Sequence, residues 1–259
     1  MNFSVLDWNI QGKKYYTHTL FKKVKPALEK INADIICLQE GETIIDELDY
    51  FKETHKYNYV FSRENKDGIN VILSKFKIIK SGQINCPSFL DRISGEVIWA
   101  NLKIGNKVVK IYNCHFEIHG VGPKERAAAL KFILADAKKH VGPTIICGDF
   151  NTTITAAGFG RKFIQWFHDV PDTSLLVGSE DYLKDERYSF IKIFEKAGYQ
   201  EATDISKTTW AAFSIRWEIF NLKLDWFSAR GLQVSKAVLG NYRSDHRSIL
   251  VKCEPQFNK

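Results

Sequence analysis

Two short runs limit the architecture more than anything else in this chain. ADIICLQE (residues 33–40) and TIICGDFN (144–151) are apolar at odd and even positions alike, and then stop abruptly in polar groups. Successive strand side chains point to opposite faces, so a strand apolar at every position needs cover on both sides. Such strands belong in the middle of a layered structure.

The other elements suit that role. Phe3 to Ile10 reads as a strand closed by Gly12. Leu20, Val24, Leu28 and Ile31 recur at helical spacing over residues 16–32, with Pro26 interrupting the helix or starting its second part. GINVILSKF, SGEVIWANLKI and KVVKIYNCHFE read as strands, the last two joined by a hairpin turn at Asn106 and Lys107. A helix opens at Pro123, runs to about Lys139 with Leu130, Ile133, Leu134 and Ala137 on one side, and ends before Gly142 and Pro143. Phe159, Phe163, Trp166 and Phe167 suggest a short helix, and Phe190, Ile191, Phe194 and Ala197 another, closed by Gly198. The aromatic side chains of these two segments read as core packing. LKLDWFSARG and SILVKCE complete the strands. The pattern is that of one α+β domain of layered sheets over residues 1–259.

Lys and Arg outnumber Asp and Glu by 37 to 30, for a formal charge of +7. That favours an anionic partner: nucleic acid, a phospholipid surface or a phosphorylated small molecule. The five cysteines have no metal-ligand spacing and imply neither a zinc site nor a disulfide framework, which suits a reduced, cytoplasmic setting. No run of 18 apolar residues is present to span a membrane. Nothing in the sequence calls for more than a monomer.

The strand-like runs share one further property: their ends. Asn9 follows VLDW, Glu40 follows IICLQ, His115 follows IYNC, Asp149 and Asn151 follow IICG, Asp225 follows LKL, and Asp245 with His246 precedes SILV. If these ends converge, they line one pit of carboxylates, amides and imidazoles. Glu40 and Asp245, with Asn9 nearby, suit a hard divalent cation such as Mg²⁺. His246 suits the proton of an attacking water, with Asp225 fixing its tautomer. Asp149 and Asn151, two apart and so on one face of extended backbone, can orient the water and donate to a developing negative oxygen. His115 can bind a phosphate or protonate a leaving oxygen. Taken singly, each has an ordinary structural explanation; taken together they describe phosphoester hydrolysis.

The segments WNIQG, ICLQE, NCHFE, CGDFN, KLDWF and SDHRSIL, in this order and at about this spacing, resemble the endonuclease/exonuclease/phosphatase superfamily, to which deoxyribonuclease I, the apurinic endonucleases, sphingomyelinases and inositol polyphosphate 5-phosphatases belong. The resemblance spans Asn9 to His246. It implies a four-layered α/β sandwich, two packed mixed sheets flanked by helices, dependence on Mg²⁺ or Mn²⁺, and the same roles for the eight site residues. Arg126, eleven residues after His115, resembles a basic position that supports the site. Two departures bear on the substrate. His115 stands where apurinic endonucleases use a tyrosine. Glu42 stands where nucleic-acid-cleaving members often carry a basic residue, and a carboxylate there repels a phosphate backbone. The expectation is a divalent-metal-dependent phosphodiesterase or phosphatase, foremost a nuclease on DNA or RNA. The alternatives are a phosphoesterase for a lipid headgroup, inositol phosphate or other small phosphate ester, and a non-catalytic binding module.

Overall fold

The computed structural model describes residues 1–12, 17–62, 68–86, 95–116, 123–152, 186–210 and 223–255. In chain order the elements are β1 Phe3–Asn9, α1 Thr17–Ile31, β2 Ile35–Gln39, a 3-10 turn Glu42–Glu47, α2 Leu48–His55, β3 Asn58–Phe61, β4 Val71–Ser74, β5 Lys77–Asn85, β6 Gly95–Ile104, β7 Lys107–Phe116, α3 Pro123–Ala137, β8 Thr144–Asp149, α4 Glu186–Lys196, β9 Gln200–Glu201, β10 Asp225–Arg230, β11 Leu232–Val234, β12 Val238–Leu239 and β13 Ile249–Pro255.

The strands form two mixed sheets. One runs β11-β13-β1-β2-β4-β3, with β12 also on β13; the other runs β5-β6-β7-β8-β10-β9. At the centre of each lies a parallel pair, β1 with β2 and β7 with β8, whose crossovers contain α1 and α3. The flanking pairings are antiparallel.

Period-two alternation sorts the side chains into three cores. On β1 and β2, Val5, Ile35 and Cys37 face the second sheet, while Leu6, Trp8, Ile36 and Leu38 face the other way, into a core that includes Val24 and Leu28 of α1 and Phe51 of α2. On the second sheet, Val109, Ile111, Ile145, Cys147, Phe227 and Ala229 point inward, while Tyr112, Cys114, Ile146 and Trp226 pack against Leu130 and Ile133 of α3 and Phe190 and Phe194 of α4. The result is a four-layered sandwich, helix–sheet–sheet–helix, and the doubly apolar runs are its central strands. Burying each such side chain contributes about 1.5–3 kcal/mol.

Some details depart from the sequence reading. Pro26 sits inside one continuous helix, α1. An interior proline costs about 3 kcal/mol, and here the buried Val24 and Leu28 on either side hold the helix through it. The hairpin turn is Gly105–Asn106, one residue earlier than expected: Ile104 pairs with Lys107, and Gly105 takes the left-handed φ of +59°. Segment KIIKSGQIN, which the sequence reading assigned to no element, is the edge strand β5. Edge strands are polar on their open side and hide their periodicity. The helix expected around Phe159–Phe167 lies outside the described residues. Among the described residues no helix is long and apolar enough to cross a membrane.

Candidate active site

The alternation that builds the inter-sheet core also builds the site. Continuing inward-facing Phe3 and Val5 along β1 brings Asp7 and Asn9 into the inter-sheet space; continuing Ile35 and Cys37 along β2 brings Gln39. Likewise Val109 and Ile111 lead to Asn113 and His115, Ile145 and Cys147 lead to Asp149, and Phe227 and Ala229 lead back to Asp225. His115 pairs with Asp149 across the parallel strands, and Asp225 pairs with Asp149 from the antiparallel side. On the first sheet β13 runs antiparallel to β1, with Ile249 opposite Asp7, so Asp245 and His246 enter just ahead of it at the same end. Both parallel pairs therefore place their carboxyl ends at one rim of the sandwich, the position where open parallel sheets take ligands.

There the eight predicted residues meet. Asn9 Nδ2 donates to Asp149 Oδ2 at 3.0 Å and to Glu40 Oε1 at 3.3 Å, joining the sheets. His115 Nε2 stands 3.9 Å from both Glu40 Oε1 and Asp149 Oδ2. His246 Nε2 is 3.6 Å from Asp149 Oδ2 and 4.0 Å from Asp245 Oδ1, while its Nδ1 faces Asp225 Oδ2 at 2.9 Å. One ligand-capable atom each from Asp149, Asp225 and His246 lie within 4.8 Å of one another.

The backbone is held in uncommon shapes to achieve this. Glu40 and Asn151 take left-handed φ values of +52° and +48°, conformations that concentrate at functional sites. Gly12 lies so close to Glu40 that a Cβ would stand 2.0 Å from the Glu40 carbonyl. Asn151 does not continue an extended strand as its spacing suggested. β8 ends at Asp149, whose Oδ1 accepts the Asn151 N–H at 2.9 Å, and the turn so formed aims the Asn151 amide at the Phe116 carbonyl, 2.6 Å away. Arg126 is wholly buried and forks onto Glu186 at 2.9 and 3.1 Å, tying α3 to α4 behind the second sheet.

The electrostatics follow from crowding acids in a dry place. Burial raises the Asp225 and Asp245 carboxyls. Burial pulls His246 down, but Asp225, Asp245 and Asp149 together outweigh it, so the imidazole is held well above its ordinary value. A divalent cation fits this donor set. The donors are hard carboxylate oxygens, and Asp245 Oδ1 is buried without a hydrogen-bond partner among the described residues, which an ion bound there would satisfy.

Beneath the site lies a polar layer that sequence reasoning did not single out. Gln39 Nε2 donates to Asp7 Oδ1 at 2.8 Å and to Asn113 Oδ1 at 2.6 Å, and Asn113 Nδ2 donates to the carbonyls of Leu38 and Val71 at 2.8 and 2.9 Å. Burial first, then the charges of Asp225 and Asp149, raise Asp7 well above the carboxylate range. The available signal was a lone acid in an otherwise doubly buried strand, two residues before Asn9. Ser244 was also missed: its Oγ donates to the Asn9 carbonyl at 2.7 Å and accepts the His246 N–H at 3.0 Å.

The model of the Endonuclease/Exonuclease/phosphatase family matches residues 8–246, from the strand that carries Asn9 to the imidazole of His246. A search of curated proteins finds no match. Among solved structures, TDP2 from C. elegans is similar at TM-score 0.69 and 18% identity, covering 98% of this chain and 75% of that one. D. rerio TDP2 complexed with a single-strand DNA product gives 0.67 and 17%, covering 98% and 99%. ANGEL2, a 2',3'-cyclic phosphatase in complex with adenosine-2',3'-vanadate, gives 0.68 and 16%, covering 98% and 95%. At these identities the likeness is one of fold.

Proposed function

The chain belongs to the endonuclease/exonuclease/phosphatase family, and from that premise we propose that it is a divalent-metal-dependent phosphodiesterase, foremost a nuclease on DNA or RNA. The observation that carries this reading is the continuous chain of contacts from Glu40 through Asn9, Asp149 and His246 to Asp225, built from both sheets. Asn9, Glu40 and Asp245 would hold Mg²⁺ or Mn²⁺, with the Asn9 amide also donating to Glu40 Oε1. Once bound, the cation offsets charge on the phosphate and on the transition state.

The residues of the chain supply the rest. Asp225 accepts from Nδ1 of His246, which orients the ring with Nε2 facing the site. The negative charge that keeps the imidazole protonated would be offset once the neighbouring carboxylates hold a cation, freeing Nε2 to take a proton from the attacking water. Asp149 orients that water, and Asn151 has a second amide proton to offer the phosphoryl oxygen as its charge grows. His115, between Glu40 and Asp149, binds the phosphate or protonates the departing oxygen. The TDP2 structure with a DNA product and the net charge of +7 favour nucleic acid. Catalysis on small phosphate esters is the second reading, favoured by Glu42. Its carboxylate lies beside Glu40 over Gly68, where a Cβ would meet Glu42 Oε1 at 2.9 Å, adding negative charge at the rim where a backbone would lie.

The test is hydrolysis of plasmid DNA and of bis-p-nitrophenyl phosphate with Mg²⁺, abolished by EDTA. His246→Ala and Asp149→Ala should each lower kcat by about two to four orders of magnitude with the fold intact by circular dichroism. Full activity in both variants would overturn the roles assigned to these side chains.

A further inference from the structure

Trp210 belongs to none of the segments used above. Its indole N–H donates to Asp245 Oδ2 at 3.1 Å. The other oxygen of that carboxylate, Oδ1, is the buried atom without a hydrogen-bond partner among the described residues. One Asp245 oxygen is therefore anchored by a hydrogen bond, while the other makes none and stands 4.0 Å from His246 Nε2, which fixes the rotation of the carboxylate and the direction Oδ1 presents. A buried carboxylate oxygen without a hydrogen bond is costly, and a cation bound at Oδ1 would relieve that cost.

The indole is placed by a firmly held backbone. Thr208 Oγ1 donates to the Trp210 carbonyl at 2.9 Å, the Arg247 N–H donates to the Thr209 carbonyl at 2.8 Å, and Trp210 and His246 form an antiparallel bridge. Thr209 Oγ1 accepts the N–H groups of Leu224 and Asp225 at 3.0 and 3.1 Å. One tripeptide thus touches both halves of the chemistry. Thr209 braces Asp225, the partner of His246, and Trp210 braces Asp245. The Trp210 side chain is only half-buried, so packing alone is a weak reason for a tryptophan here.

We propose that Trp210 is a positioning residue for the cation. Its indole N–H holds the Asp245 carboxylate so that Oδ1 faces the ion, and Thr209–Trp210 locks that ligand in register with the Asp225–His246 pair. This rests on the assignment of Asp245 as a cation ligand. Groups that hold a metal ligand from behind typically contribute 10–100-fold to affinity.

The experiment is Mn²⁺ titration of the full chain followed by electron paramagnetic resonance, which reads binding without turnover. Two variants separate the hydrogen bond from the ring: Trp210→Phe, and Trp210→benzothienylalanine, in which sulfur replaces the N–H within the same outline. Both should bind Mn²⁺ about 10–100-fold more weakly, with thermal midpoints in EDTA close to wild type and much of the lost rate recovered at saturating metal. Wild-type affinity in the benzothienylalanine variant overturns the proposal, whether or not Trp210→Phe folds, because only the N–H is then missing. If the unaltered chain binds no Mn²⁺, the cation assignment itself falls and this inference with it. If it binds Mn²⁺ and both variants match it, only the role of Trp210 falls.

Discussion

Lys223 stands behind the site with its ammonium fully buried. Nζ is 3.3 Å from Glu201 Oε1, 3.2 Å from the Asp225 carbonyl and 3.1 Å from the centre of the Trp226 ring. Glu201 in turn takes hydrogen bonds from the hydroxyls of Thr203 and Ser228. Burial outweighs the attraction of Glu201 and Asp225 and pushes Lys223 down to about 8. The sign of the consequence is fixed by linkage. Below pH 8 the folded and unfolded chains both carry this proton, and the cost of burying it is constant. From about pH 8 up to the unfolded value near 10.5 only the unfolded chain still binds the proton, so this group makes stability rise with pH, by at most about 3 kcal/mol. Urea denaturation of wild type and of Lys223→Arg at several pH values between 7.5 and 10 checks this as a difference. The guanidinium stays charged throughout, so the variant should lack the rise.

At the level of elements, two sheets with the same central pattern meet at a seam of amides. Asn113 on β7 reaches from the second sheet to carbonyls on β2 and β4 of the first, and Gln39 on β2 reaches back. Each lies one or two positions before a site residue, Glu40 or His115, so the seam sets how the two halves of the site face one another. Asn113→Leu leaves the Gln39 amide short of an acceptor and two buried carbonyls short of a donor. It should cost about 2–4 kcal/mol of stability, measured by denaturant unfolding, and should lower kcat beyond what the lost folded fraction explains. The central strands were legible in the sequence because they are apolar on both faces, and the site because polar residues end them. Period two then carries strand identity through to side-chain direction. The segments that escaped were those whose pattern is weak: β3 and β5 on edges, three-residue β11, two-residue β9 and β12, and α2, eight residues long. Thr209 and Trp210 escaped for a different reason. Their side-chain partners lie 15 to 35 positions away in sequence and are reached through irregular chain, so no local periodicity announces them.

At the scale of the whole molecule the open question is how long a phosphate chain the rim accommodates, and here charge and geometry pull apart. The excess of seven positive charges attracts any polyanion. Beside Glu40, however, Glu42 places a second carboxylate, which on the small-ester reading disfavours the phosphates next to the scissile one. Salt separates the two effects. A protein that neutralises several phosphates loses affinity as a power of salt concentration, because each contact releases a condensed counterion, whereas a single small ester releases almost none. With three or more backbone contacts, kcat/KM on single-stranded or duplex DNA should fall at least about tenfold between 50 and 200 mM NaCl, while kcat/KM on bis-p-nitrophenyl phosphate changes by less than about threefold. Glu42→Lys should then raise kcat/KM on DNA, steepen its salt dependence by about one contact, and leave the small ester nearly unaffected. If the two substrates respond to salt alike, and Glu42→Lys changes neither, the chain does not track a phosphate backbone and the reading as a small-ester hydrolase takes precedence.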